Sequence, residues 1–321
     1  MPTGVVHIDR ALTNISLSAS ADQNLIAERV LLPCPVDDPS DKLYKYGEEI
    51  FLTEEDARAP GAQPNETTWK VTSVSYATKG HALEHGVPRD KKNAADPALS
   101  LLADTTRILT AKGRLNMEVN CVAALVAAMT GASAVDCAAA KWSSADVNPL
   151  YVLKAYIDTI TLACGQPPNV LMLSQPVATA VRTNPQVVGL ITGAAALAGS
   201  KVSMAQIADW LELDEVLVGR AVSKTTPGGT KAFVWGTKAM LFYRPPAPGL
   251  LTLALGYTMK WQKALAAVTG LEAIPGMEGV GPQFVQQYWW EPTLSDVVVV
   301  HNYYDQAVYA AECGILFNNC I

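Results

Sequence analysis

One stretch of the chain sets residue types at a spacing that could do chemistry: His81-Ala82-Leu83-Glu84-His85. Two imidazoles four residues apart with a carboxylate between them fit the inverted zinc-peptidase pattern, in which the metal activates water and the carboxylate is general base. That chemistry needs a helix to bring both rings to one face. Gly80 on one side and Gly86-Val87-Pro88 on the other leave barely one helical turn. His7 and His301 are the other histidines, and no carboxylate is marked as a third ligand. A zinc-dependent hydrolase is therefore the weakest reading of the chain. Solvated ribbon residues are expected at 81–85, with no catalytic residue, cofactor or metal.

Other patterns are weaker still. No Gly-x-x-x-x-Gly-Lys-Ser/Thr phosphate loop or Gly-x-Ser-x-Gly nucleophile elbow is present. Gly276, Gly279 and Gly281 do not lie between a strand and a helix and read as a plain loop. The acidic groups at 37–38 and 54–56 lack the alternating oxygens of a calcium loop and read as solvated surface. Trp289-Trp290 reads as a packing anchor rather than a stacking platform. Six cysteines (Cys34, Cys121, Cys137, Cys164, Cys313, Cys320) show no Cys-x-x-Cys pair, so scattered reduced thiols are expected; a local Cys313 to Cys320 link is open but not required.

Composition narrows the class. The 321 residues are 50% hydrophobic and 17% charged, against about 25% charged in an average globular protein. Fewer charges mean less obligate water-facing surface, as in a chain that buries its flanks against neighbouring copies. The net charge is −6 and no basic run exceeds Lys91-Lys92, which argues against neutralising phosphates. The N-terminal residues never build a secretory apolar segment. The longest uncharged stretches, 121–135 and 187–200, fall short of the ~20 apolar residues of a membrane span, so no membrane partner is expected.

The elements read as α+β. The first fifty residues have no sustained period, and prolines at 33, 35 and 39 forbid a helix through their middle, so an extended arm is expected. A polar loop covers 54–65. Residues 67–78 are dense in β-formers and read as one strand of a long ribbon carrying Trp69, Val71, Val74 and Tyr76, with Gly80, Gly86 and Pro88 marking its return and end. These four side chains are the candidate assembly contacts, because an isolated two-stranded ribbon is marginal in water and needs another surface. Asp96-Pro97 opens a helix whose stripe is Leu101, Thr105, Ile108, Lys112, Leu115, Val119, Val122, Val126 and Met129, about 50 Å long if uninterrupted.

A second helix is capped by Asn148, opened by Pro149, striped by Leu150, Leu153, Ile157, Ile160 and Cys164, and stopped by Gly165. A short strand at 170–173 and a short helix from Pro176 to before Pro185 follow. Ser203 and Gln206 form a capping box for a helix to about Leu211. Strands are expected at 216–218, 233–235, 239–243, 251–261 and 297–303, a turn at 227–229, and irregular chain at 262–295.

The order of these segments resembles the major capsid proteins of tailed bacteriophages, the Hong Kong ninety-seven type. Glu84-His85-Gly86-Val87-Pro88-Arg89-Asp90, then Asn93-Ala94-Ala95-Asp96-Pro97 and a long helix, is similar to that family's passage from extended loop to spine helix. Trp142, Asp146-Val147-Asn148-Pro149, Pro168-Asn169-Val170-Leu171-Met172-Leu173-Ser174 and Asn184-Pro185 resemble its next stretch. Val216-Leu217-Val218-Gly219, Val234-Trp235-Gly236, Leu255-Gly256-Tyr257-Thr258, Tyr303-Tyr304-Asp305 and Ala311-Glu312-Cys313-Gly314 continue in the same order. The resemblance covers about residues 66–321; each motif alone is weak, and their joint order and spacing carry it.

The resemblance implies an α+β capsid fold with an N-terminal arm (1–50), an extended β loop (51–90), a peripheral domain with a spine helix (91–164 and 250–321) and an axial domain (165–249). It implies a structural protein, not an enzyme, self-assembling into hexamers and pentamers of an icosahedral head that encloses double-stranded DNA without specific binding. The implied partners are further copies of itself, a separate scaffolding protein, a portal protein at one vertex and room for a decoration protein. The scaffold is expected to be separate because only about 65 non-helical residues precede the loop, against the fused helical segment of some members. The implied location is the virion, after assembly in the bacterial host cytoplasm. An encapsulin-like compartment shell shares the fold and is the alternative.

Overall fold

A single long strand, Ser295–Val308, organises the larger of two sheets. On one side its first eight residues pair antiparallel with Gln283–Trp290. Beyond these, on the same side, Gly256–Trp261 pairs with it from Tyr304 to Val308, while Lys79–Pro88 runs along its other side from Ser295 to Tyr304. His7–Ile8 and Leu32–Val36 complete the six strands, the first pairing with Gln283–Trp290 and the second with Gly256–Trp261. Val297, Val298, Val299 and Val300 are all buried, because both faces of the strand are covered; a valine run without alternation is the expected pattern for such a strand. The computed structural model describes residues 7–18, 24–46, 48–54, 56–58, 60–61, 63–94, 100–193, 201–249, 252–269 and 282–321.

The helix Leu101–Ala128 lies along this sheet; its 28 residues span about 42 Å. Its expected Asp96-Pro97 start lies outside the described residues, and Ser100 stands at the N-cap. The buried face is not the expected stripe. Ala103, Thr106, Leu109, Thr110, Met117, Glu118, Cys121 and Leu125 point inward, while Ile108, Val119 and Val126 face out. In its N-terminal half the inward face includes the small side chains of Ala103, Thr106 and Thr110, which leave room for another helix.

That helix is Arg10–Ser18, where an extended arm was expected. Asp9 caps it by accepting from the Leu12 amide at 2.9 Å. Its inner side is partly polar: the Ser16 and Thr110 hydroxyls bond at 2.7 Å, Gln283 donates to Ser16, and the Val285 amide donates to Thr13. Leu12, Leu109, Val285, Val298 and Val300 close a small core around this network. The prolines at 33 and 35 sit in a strand after all, Leu32–Val36, because it is an edge and runs parallel to Gly256–Trp261. The arm is thus folded into the body, with Ile26, Leu31 and Leu43 fully buried.

The second sheet has five strands in the order Ala134–Asp136, Gly314–Asn318, Ala239–Phe242, Val170–Ser174, Glu215–Gly219. Helix Pro149–Cys164 covers it, capped by Asn148 and ended by Gly165 in the left-handed region, as its sequence predicts. Helices Gln175–Thr183, Pro185–Thr192 and Met204–Trp210 pack around it, the last opened by the Ser203 and Gln206 capping box. The five-stranded sheet draws strands from both sides of 164/165 and 249/250. Ala134–Asp136 and the C-terminal strand join the strands of 165–249, because Gly314–Asn318 pairs directly with Ala239–Phe242. Residues 262–295 are also more ordered than expected, holding helix Ala264–Thr269 and strand Gln283–Trp290, while the glycines at 276, 279 and 281 lie outside the described residues.

Candidate assembly surfaces

His81, Leu83 and His85 lie on one face of the strand Lys79–Pro88, opposite Asn302, Val300 and Val298. Four residues of strand separate the two imidazoles by about 13 Å, too far for one metal ion. Glu84 points to the other face and accepts from the Tyr288 hydroxyl at 3.3 Å. His81 instead stacks on Tyr304 at 4.2 Å, and burial, with Lys79 nearby, lowers its pKa. The strand geometry removes the zinc-peptidase reading. Among the described residues no three of His, Cys, Asp and Glu converge as metal ligands, and no helix is long and apolar enough to cross a membrane.

The ribbon is real, but its partner differs from the one expected. Val71–Ala77 pairs antiparallel with Ser40–Tyr46, and the supposed return strand instead enters the large sheet. Gly80 and Gly86 are not turn signals: a Cβ at Gly80 would come within 2.7 Å of the Tyr303 ring, so the glycine admits a close neighbour. At its base the ribbon belongs to the body. Leu43 and Tyr76 are buried in the main core, the Tyr76 hydroxyl donates to the Asp38 carbonyl, and the Ala77 amide donates to Asp305 at 3.0 Å.

Of the four expected assembly contacts, Trp69 (63% exposed), Val71 (50%) and Val74 (39%) lie on the surface, while Tyr76 (3%) is a core residue of its own subunit. Along the ribbon and into the loop beyond, Tyr44, Phe51 and Leu52 add to the exposed apolar set. Lys45 forms an ion pair with Glu312, and the Phe51 ring fills the space a Cβ at Gly165 would take. These contacts hold the ribbon along its own subunit with its apolar tip outward.

A second apolar row runs down the long helix through Ile108, Leu115, Val119 and Val126. These side chains make an exposed apolar face over five turns of the helix, which makes it a candidate contact surface. Beside it, the short hairpin Val222–Ser223 with Ala232–Phe233 overhangs the helix. Lys112, Lys224 and Lys231 line one cleft there with Leu115 and Val222, and Arg220 flanks the next. Distant segments thus assemble a basic cluster that no basic run in the sequence announces.

One buried side chain sets the position of the N-terminal segment, and sequence reading missed it. Glu118, fully buried on the long helix, accepts from the Ile26 amide at 3.0 Å, the Ala27 amide at 2.7 Å and the Trp235 indole at 2.5 Å. Burial raises its pKa against the opposing effect of these three donors. Glu118, between Met117 and Cys121, is the one charged residue among the helix's fully buried side chains, and a carboxylate at that helical spacing was the available signal.

No protein-family model matches the sequence, and no curated protein matches it. Solved structures do match. A phage-related protein from Bordetella bronchiseptica superposes with a TM-score of 0.73 at 21% identity, with 99% of each chain covered. The capsid of cyanophage P-SCSP1u gives 0.59 at 10% identity, covering 91% of this chain and 87% of that one. The holo-SrpI encapsulin complex from Synechococcus elongatus gives 0.56 at 11% identity, covering 99% and 92%. Agreement over whole chains at such low identity is agreement in fold: this chain has the α+β fold of phage capsid proteins, the Hong Kong ninety-seven type, which an encapsulin shares.

Proposed function

We propose that the chain is the major capsid protein of a tailed phage, a structural subunit rather than an enzyme. Copies assemble into hexamers and pentamers of an icosahedral head that encloses double-stranded DNA in the virion. The observation that carries this reading is the whole-chain likeness to shell-forming proteins. The exposed rows on the ribbon and the long helix supply the lateral surfaces such a lattice needs, where many modest interfaces add up.

In this reading 52–70 and the ribbon form the extended loop, the six-stranded sheet with its long spine helix forms the peripheral domain, and the five-stranded sheet forms the axial domain. A separate scaffolding protein guides assembly in the host cytoplasm, a portal occupies one vertex, and a decoration protein has room to bind outside. DNA is contained without sequence-specific grip. An encapsulin-like compartment is the second reading, favoured by the 99% coverage of this chain by an encapsulin.

Electron microscopy of particles purified from bacteria, with the chain expressed alone and with its neighbouring genes, tests both readings. Closed shells of uniform diameter are expected. Nuclease-protected DNA inside phage-produced particles supports the capsid reading, packaged enzyme supports the compartment, and absence of any closed particle refutes both. The ribbon gives a paired test: Trp69→Ala should lower particle yield while leaving subunit unfolding unchanged, and Tyr76→Ala should destabilise the subunit itself.

A further inference from the structure

The C-terminal strand Gly314–Asn318 is bracketed by cysteines, Cys313 directly before it and Cys320 two residues after it. Each has a thiol neighbour from another part of the chain. Cys313 lies beside Cys164, the last residue of helix Pro149–Cys164, and Cys320 lies beside Cys137, just past strand Ala134–Asp136; both pairs are within side-chain hydrogen-bonding reach. The backbone fixes these placements. The Cys137 amide donates to the Asn318 carbonyl at 2.9 Å, the Trp142 amide to the Cys320 carbonyl at 2.7 Å, and the Tyr243 amide to the Cys313 carbonyl at 2.8 Å. All four thiols are buried in one core. Cys313 and Cys320, neighbours in sequence, are held apart by a strand of about 17 Å.

We propose that Cys164 with Cys313 and Cys137 with Cys320 are two disulfide-forming sites that, once the folded chain meets an oxidant, fasten the C-terminal strand into its sheet at both ends. The oxidant is a small peroxide, of a size that reaches a packed interior. The Cys164 thiolate attacks one peroxide oxygen and the O–O bond breaks, leaving a sulfenic acid and a hydroxide that takes up a proton. The Cys313 sulfur, losing its proton, then attacks the Cys164 sulfur. The S–O bond breaks, water leaves and the S–S bond forms. Two thiols are oxidised and one peroxide is reduced to two waters; the second pair reacts in the same way.

The direction of attack follows from the environment. The hydrogen bond from Cys313 lowers the Cys164 pKa to about 7, while Cys313 is raised by the same contact and by burial. Cys137 is lowered and Cys320 raised for the same reasons. The two links close loops of about 150 and 180 residues, long enough that cross-linking removes much of the freedom of the unfolded chain.

The test uses the full chain, treated with a small excess of hydrogen peroxide, denatured in iodoacetamide and mapped by mass spectrometry without reduction. The expected map contains two linked peptide pairs, 164 with 313 and 137 with 320, with Cys34 and Cys121 alkylated. Dithiothreitol should reverse both links, and the oxidised chain should melt about 5 °C or more above the reduced one. Cys313→Ala should lose the first link alone and Cys320→Ala the second. The proposal is overturned if either link is absent, if all six thiols are alkylated, if other partners are joined, or if these cysteines reach sulfinic acid unlinked. The wild-type map decides the question even where a variant fails to fold.

Discussion

Replacing Glu118 by alanine should cost the unassembled subunit about 3–4 kcal/mol. The change strips the acceptor from three buried donors, the Ile26 and Ala27 amides and the Trp235 indole. Each orphaned donor costs about 1–3 kcal/mol. Part of that sum is offset, because the carboxylate itself is costly to bury. Its pKa, raised by burial, means that its contribution to stability is greatest below the ordinary carboxylate range and is lost as pH rises through the folded value. Glu118→Gln keeps one accepting oxygen and turns an amide NH2 toward the remaining donor, so about 1–2 kcal/mol is expected. Trp235→Phe removes one donor without removing the carboxylate, and the double mutant should be less destabilised than the sum by about 1 kcal/mol. Urea unfolding of the wild type and the four variants reads these values from the midpoints at constant slope. Particle yield should fall with Glu118→Ala as well, because the same carboxylate fixes the segment that leads into the ribbon. A Glu118→Ala midpoint within about 0.5 kcal/mol of wild type, or strict additivity with Trp235→Phe, would refute the reasoning.

Gly80→Ala should destabilise by about 1–3 kcal/mol, since its Cβ meets the Tyr303 ring at 2.7 Å, and the loss should largely disappear in a Tyr303→Leu background, read by the same unfolding curves. Asn184→Ala should cost about 3 kcal/mol: its amide donates to the Trp142, Ser144 and Val147 carbonyls and its oxygen caps helix Pro185–Thr192. Burial lowers the pKa of His301, which stacks on Phe284 and Tyr303. The unfolded chain therefore binds the extra proton first, so melting temperature should fall as pH drops below about 6.5, and His301→Gln should flatten that slope. Ile108→Ser with Val119→Ser should leave subunit melting within about 1 °C of wild type, since both side chains already face water, yet lower shell yield in sedimentation.

Elements whose signals are local were legible in the sequence. Asn148-Pro149, the stripe to Cys164 and Gly165 define a helix by capping chemistry alone, as do Ser203 and Gln206. The valine run of Ser295–Val308 and the buried Val170–Ser174 announce themselves by composition. Helix Arg10–Ser18 did not, because its inward face carries Thr13 and Ser16, which are satisfied by partners over ninety residues away. The long helix is apolar on two faces, and the bulkier one belongs to the surface; periodicity finds a stripe but not which neighbour covers it. The ribbon's exposed Trp69 and Val71 could be anticipated, whereas Tyr76 could not be separated from them before its partner strand was known. The thiol pairs and the lysine cluster depend on tertiary contacts and leave no trace in spacing.

The prolines at 33 and 35 have a consequence for behaviour at high concentration. The Gln262 amide bonds to the Val36 carbonyl, so Leu32, Cys34 and Val36 turn their backbone groups toward the sheet, and positions 33 and 35 turn theirs outward. Those outward positions are the ones that lack an N–H. A stray strand approaching this rim finds carbonyls but no donors, and cannot extend the sheet in register. In the proposed role of shell subunit the chain would accumulate to high concentration, where edge-to-edge polymerisation is a hazard. Here that route to fibres is blocked on the Leu32–Val36 side by two rings, which leaves side-chain surfaces to direct association.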